Sequence, residues 1–440
     1  MNSDPPIPVR RRRRLIVLLV LCLAGIGVVL WTGALARIPQ QLATKALSAH
    51  RIDEAEEHLA WARWLATNNG ETEFLLARVR RKQGQVDEMM DHLETAARLG
   101  VDPERIRREQ LLAMAQAGQL QGRYDAIDAL LLDPRDDGRE ILDAYVNGLL
   151  RNANYQAAGY LIDSWSKEFP EDAQPHYISG RIQRHLRNFE SAEEKFRTAL
   201  DKQPDHFAAA YQLADLLLQQ KQPAEAIPVA KTALAMKYNA APTLVLARSL
   251  RAQGDVDAAR RLLEELTSRP SEEIARSYQR VGQPLVGAPV AAELGTLELD
   301  SGRYKEALKW LTEAVEADPD NLDTRYSWAI ALRQSGEVER SVEELKRVVD
   351  AREALTEVDR LADGLDPFKP HIEERFRIGE LYMQHGSKRT AEFWLKSVLH
   401  FDPDHAEAHR LLAEYYELRA SEEPEYAVLA RQHRAQAGSE

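Results

Sequence analysis

Small and apolar residues recur along this chain with two nested periods. Within short stretches they return every third or fourth position, the spacing of one face of a helix. The stretches themselves return about every 34 residues, the signature of a stacked repeat. The stretch from Ala173 to His206 shows the unit most clearly, with Gly180, Phe189, Ala192, Phe196, Ala199 and Pro204 in sequence. The pattern predicts two antiparallel helices. Gly180 and Ala192 are expected to face each other where the helices cross, because a larger side chain would push the backbones apart. Phe189 and Phe196 are expected to fill the seam toward the next unit, and Pro204 to stop the second helix.

The unit recurs on both sides. Leu42, Ala43, Ala55, Leu59 and Ala62 are followed 34 residues later by Leu76, Ala77, Met89, Leu93 and Ala96. Later copies carry Leu213, Ala214, Ala226 and Ala233, then Leu246, Ala247, Gly254, Ala259 and Leu263. Two more follow at Leu294 to Pro319 and at Ile378 to Pro403. On these residues the region from 36 to 440 resembles the tetratricopeptide repeat superfamily. The resemblance implies an all-α fold, a right-handed superhelical solenoid of about ten helix-turn-helix units. It implies no particular partner, because the shared residues are packing residues.

The irregular places set the expected organisation. In the third unit Asp133-Pro134 should cut the second helix short, with Asp136-Asp137-Gly138 as a turn. Between Ser268 and Pro289 three prolines and two glycines surround one short helical piece, read as a joint between two parts of the array. Gly364, Pro367 and Pro370 mark a second break. The expected domains are a basic tail at 1–14, a membrane helix at 15–36, a first array at 37–273, the joint at 274–287, further units at 288–355, a linker at 356–371, and a last unit with its cap at 372–440.

The N-terminus changes the picture. Arg10 to Arg14 are consecutive arginines, and Leu15 to Ala36 follow without a charge. At about 1.5 Å per residue this run spans about 33 Å, enough for a bilayer core. The arginines should stay cytoplasmic and send the repeats across the membrane, which in a bacterial cell means the periplasm. Ala34-Leu35-Ala36 also fits signal-peptidase cleavage, so a cleaved, soluble binder is the alternative, although the run exceeds a usual signal core. Trp61 and Trp64, on the second helix of the first unit, could reach the membrane interface; packing between repeats is the reading adopted for them.

The chain carries a net charge of −12. Beyond residue 36 there are 53 basic and 69 acidic side chains, a net of −16 that disfavours nucleic acid. The lone Cys22 lies in the apolar run, so the repeats hold no disulfide or cysteine metal site. No phosphate-cradling or nucleophile-elbow motif is present, and no cofactor, small-molecule substrate or catalysis is expected. His400, His405 and His409 could suggest a metal, but HAEAH lacks the HExxH order and a third ligand. They are read as structural, with a metal-dependent module the remote alternative.

In the superfamily the first helix of each unit lines the concave face. Carried onto this sequence, that resemblance assigns partner binding to Phe74, Arg78, Arg81, Tyr177, Arg181, Arg184, His185, Tyr211, Arg248 and Arg251. Lys82, Asn147, Arg151, Asn152, Tyr326, Arg333, Phe376 and Glu380 fall at the same positions. Arginines interleaved with tyrosines on an acidic protein suit an extended protein or peptide segment rich in carboxylates. The alternative is that glutamates of adjacent helices neutralise them. The expectation is thus a membrane-anchored scaffold in envelope assembly, secretion or polysaccharide-related complexes.

Overall fold

The computed structural model describes residues 34–120, 122–236, 239–281, 283, 285–363, 365–366, 369–421 and 424–438. The expected membrane helix at 15–36 lies outside the described residues except for Ala34–Ala36, a short 3-10 turn. Among the described residues all regular elements are helical, and no helix is long and apolar enough to cross a membrane. The chain forms two compact units, one ending at Ala144 apart from residues 116–120, and one holding those five residues and everything from Tyr145.

The first unit is built from helical hairpins. Arg37–Ser48 pairs with Ile52–Leu65, and Gly70–Gln83 with Val86–Arg98. Ala43, Leu47, Ala55, Leu59, Leu75 and Val79 join the two hairpins in one buried cluster. Asn69 accepts a hydrogen bond from the Thr72 amide, satisfying one of the unpaired donors that open a helix. Pro103–Gln116 and Tyr124–Leu132 follow, the latter ending at Asp133 where the sequence predicts it.

The second unit continues the pattern. Gln174–His185 pairs with Phe189–Lys202, Phe207–Gln219 with Pro223–Met236, and Ala240–Ala252 with Val256–Thr267. Pro289–Asp300 with Tyr304–Ala317, Leu322–Gln334 with Val338–Ala362, Ile372–His385 with Lys388–Phe401, and Ala406–Arg419 with Pro424–Gln436 complete it. Val338–Ala362 is a single helix, so the boundary expected at 355/356 falls inside it.

A β-carbon at Gly180 would lie 2.6 Å from Phe196 Cε1, so the glycine sits directly against the Phe196 ring. The same relation recurs sixteen residues on in each case: Gly295 against Leu311 at 2.5 Å and Gly379 against Leu395 at 2.9 Å. Phe196 is fully buried, whereas Phe189 is only half-buried.

Backbone conformation gives the repeat register directly. The turn inside successive hairpins carries one left-handed residue, at His50, Gly84, Gly118, Ala153, Arg187, Lys221, Gly254, Gly302 and Gly336. The interval stays between 33 and 35 residues except from Gly254 to Gly302, where it is 48. The extra residues form the helix Ser271–Arg280 and the segment that follows it. They do not make a joint. Pro289–Asp300 still packs on Val256–Thr267, while Ser271–Arg280 lies against Ala240–Ala252.

Candidate functional site

The first helices present the arginines that the sequence singles out, and next-repeat carboxylates meet most of them. In the first unit Arg78 reaches Glu109 and Asp137, both at 3.1 Å. Arg81 lies 2.6 Å from both Glu109 and Glu140. Lys82 contacts Glu140 at 3.0 Å and Asp143 at 3.1 Å. Phe74, Arg78 and Arg81 are buried, and both the Arg78 and Arg105 guanidiniums lie over the Phe74 ring. Burial opposes the ionised Glu140, but Lys82, Arg81 and Arg78 outweigh it and hold its pKa at about 2. Asp143 is likewise held well below its ordinary value, burial being outweighed by Lys82 and His50. These residues form an internal ion network.

The second unit repeats the arrangement at Arg248 and Arg251, which share Glu293 at 3.1 and 2.5 Å. Arg251 also reaches Asp300 at 2.8 Å. The positive stripe expected from sequence is therefore matched by acid at both of these places.

The pair Arg181 and Arg184 departs from this rule. Glu109 lies 31 and 28 residues after Arg78 and Arg81; the residue at those offsets from Arg181 and Arg184 is Gln212. Arg184 donates to Gln212 Oε1 at 2.6 Å and pairs with Asp215 at 2.5 Å. Arg181 makes no ion pair among the described residues; its guanidinium sits over the Tyr177 ring, 5.6 Å from the centroid. Only Arg184 of the two has a carboxylate partner, Asp215, and the local balance is positive.

A neutral glutamine at 212 also gives this face a donor that a glutamate would lack. The Val281 carbonyl accepts from the Gln212 carboxamide at 3.3 Å and from the Tyr177 hydroxyl at 3.4 Å. The Tyr211 hydroxyl donates to Gln283 Oε1 at 3.0 Å. Tyr177, Tyr211 and Val281 are all buried in this contact. Val281 and Gln283, just after the extra helix, therefore lie on the first-helix face.

The remaining assigned residues are dispersed. His185 stacks on Phe393 at 5.0 Å, and Tyr155 meets the same ring at 5.4 Å. Asn152 donates to the Gly118 carbonyl, Phe376 stacks on His405, and Glu380 pairs with Arg377. Tyr326 lies under Arg352, and Arg333 is exposed. His405 caps a helix through the Ala408 amide, while His409 turns away toward His433 at 2.7 Å and the Pro403 carbonyl at 2.8 Å. No group of three metal-ligating side chains is present among the described residues.

Sequence reasoning missed Glu109, Gln212, Glu293, Val281 and Gln283. The recurring offsets of 31 and 28 were the signal for the first two.

Residues 179–241 match one family model described as tetratricopeptide repeat, and residues 217–276 and 298–363 match a second of the same description. Among solved structures, the chain is similar to YrrB, a TPR protein with an unusual peptide-binding site, at 18% identity over 43% of this chain and 91% of that one, with a TM-score of 0.31. It is similar to PilW, a type IV pilus biogenesis factor, at 17% identity over 52% and 95%, with a TM-score of 0.39. The APC/C hetero-tetramer Cut9-Hcn1 aligns at 14% identity over 83% and 68%, with a TM-score of 0.46. A search of curated proteins returns no significant match.

Proposed function

The chain carries tetratricopeptide repeats, and from that premise we propose that it is a non-enzymatic, membrane-anchored scaffold that captures an extended protein segment on its first-helix face. The observation that carries the reading is the substitution of Gln212 for the carboxylate that elsewhere neutralises the arginine pair. It leaves Arg181 for a partner's carboxylate, beside the buried aromatic surface of Tyr177. The Tyr177 hydroxyl and Gln212 carboxamide already hold a main-chain carbonyl there, which is how a side-chain-lined groove reads an extended peptide.

The anchor is the apolar run Leu15 to Ala36, with Arg10 to Arg14 cytoplasmic and the repeats on the far side. Ala36 is fully buried and the turn Ala34–Ala36 packs on the first hairpin, so the run continues straight into the fold. This supports retention over cleavage. On this topology the scaffold serves envelope assembly, secretion or polysaccharide-related complexes.

The test uses the full chain in its native membrane, crosslinked and purified with its partners. Gln212→Glu supplies the missing carboxylate and Arg181→Glu reverses the free charge; each is expected to abolish partner capture with helix content unchanged. Lys305→Glu, on an exposed second helix, should capture as the wild type does. Equal capture by all three variants refutes the assignment of this face.

A further inference from the structure

The first hairpin carries an apolar surface that the packing of the repeats does not use. Trp61 is 46% exposed and Trp64 is 78% exposed. Packing between repeats, the reading adopted from sequence, thus covers about half of Trp61 and little of Trp64. Three residues apart on one helix, they share a face, while Ala55, Leu59 and Ala62 of that helix are fully buried. Leu35, Ile38 and Leu42 are exposed as well, at 40%, 58% and 39%.

Leu35, Ile38, Trp61 and Trp64 lie toward the end of the hairpin away from its turn, and Leu42 midway along Arg37–Ser48. The chain leaves the apolar run at Ala36 and enters Arg37–Ser48 with no linker. Ile52–Leu65 returns antiparallel, so its last turns come back level with the first turn of Arg37–Ser48, and the turn Ala34–Ala36 packs against it. Leu35 and Ile38 lie where the chain enters this end, and Trp61 and Trp64 on the returning helix. A side chain one helical turn from the end of a membrane span lies about 5 Å along the axis from it.

Resting on the anchor reading above, we propose that Trp61 and Trp64, with Leu35, Ile38 and Leu42, seat the first hairpin in the headgroup layer of the bilayer. The occupant of the patch is the lipid interface. The apolar run outside the described residues ends where the patch begins, and tryptophan is the side chain that interfaces favour, with an apolar body and one polar N–H. The contact fixes the orientation of the first repeats against the membrane.

The experiment reconstitutes the full chain in phosphatidylcholine vesicles, which are neutral overall and leave the acidic net charge without a role. Trp31→Phe removes the tryptophan of the apolar run. Flotation resistant to alkaline carbonate reports the anchor. Quenching of tryptophan emission by lipids brominated near the headgroup reports the patch. The Trp31→Phe chain is expected to float and to be quenched, and further Trp61→Phe and Trp64→Phe changes should remove that quenching while helix content stays constant. A chain that floats but is quenched equally with and without Trp61 and Trp64 overturns the proposal and leaves the anchor standing. A chain that fails to float removes the anchor and the proposal together. A floating chain that shows no quenching but crosslinks through the tryptophan face assigns the patch to a second copy, which also overturns it.

Discussion

The contact between Gly180 and Phe196 invites a substitution that adds a single carbon. An alanine β-carbon at 180 would lie 2.6 Å from Phe196 Cε1 and 2.7 Å from Cδ1, closer than non-bonded carbons approach. Phe196 has nowhere to go: its side chain is fully buried and its ring sits 6.3 Å from Tyr177. Overpacking of this kind costs about 1–3 kcal/mol. Alanine recovers about 1 kcal/mol of helix propensity over glycine. Gly180→Ala should therefore lower stability by roughly 0–2 kcal/mol, the difference of the two terms.

The discriminating measurement is the same substitution in a Phe196→Ala background. That variant is itself destabilised by about 3–5 kcal/mol, but it removes the ring that the new carbon meets. Gly180→Ala should then stabilise by up to about 1 kcal/mol, through propensity alone. The coupling between the two sites is thus expected at about 1–3 kcal/mol. Because repeat arrays need not unfold in one step, the assay is urea unfolding together with hydrogen exchange of Gln174–His185 and Phe189–Lys202. A Gly180→Ala effect of the same sign and size in both backgrounds would refute the packing argument.

The other predictions concern charge. Arg81→Met leaves the buried Glu109 to Arg78 and Glu140 to Lys82, each short of one charged donor, and should cost about 1.5–3 kcal/mol in urea unfolding. Arg197→Met, which loses only exposed pairs with Glu193 and Glu225, should cost about 0–1 kcal/mol. Acid should unfold the first unit through Glu140 and Asp143. Their native pKa values are depressed, so the stability they contribute is complete above the ordinary carboxylate value and is lost as pH falls, for Glu140 toward about 2 and for Asp143 well below its ordinary value. The C-terminal hairpin should loosen earlier. Burial, and then His409 beside it, push the His433 pKa down to about 4 from an ordinary value near 6.5. The unfolded chain takes up that proton first, so neutral His433 stabilises the hairpin fully above about pH 6.5 and the contribution is lost down to about 4. Hydrogen exchange at pH 5 should show faster exchange in Ala406–Arg419 before any change in Gly70–Gln83; the reverse order would contradict the assignment.

How much of this was legible in the sequence depends on how far each interaction reaches. The repeat period, the hairpins and the short second helix after Asp133 follow from neighbours within one turn or one unit, which periodicity and capping residues record. The Phe196 ring against Gly180 was not read from the sequence, because a contact sixteen residues on depends on the geometry of the intervening turn. Trp61 and Trp64 were assigned to packing because tryptophan is usually buried; the structure leaves both exposed. The neutralised arginines were hidden for a different reason. Their carboxylates lie a repeat away, on a helix whose alignment with the first is set by tertiary stacking.

That alignment shows why the irregular stretch does not divide the second unit. Arg248 and Arg251 meet Glu293 at separations of 45 and 42, where Arg78 and Arg81 meet Glu109 at 31 and 28. The difference is 14 in both cases, the same excess that widens the turn interval from 34 to 48. Removing the insertion would bring Glu293 to the offset of Glu109, so the array resumes in register beyond the insertion. The inserted residues are free of the stacking pattern because the hairpins on either side pack without them. They are placed by other means: Ser277 donates to the Asn239 side chain, and Val281 and Gln283 lie on Tyr177, Tyr211 and Gln212. Gln212 occupies the ladder position held by Glu109 and Glu293. A glutamate there would pair with Arg181 and Arg184 and lose the amide that holds the Val281 carbonyl. One residue thus exchanges a neutralised arginine pair for a polar seat on the first-helix face, occupied by Val281, and leaves Arg181 over the Tyr177 ring without an ion pair among the described residues.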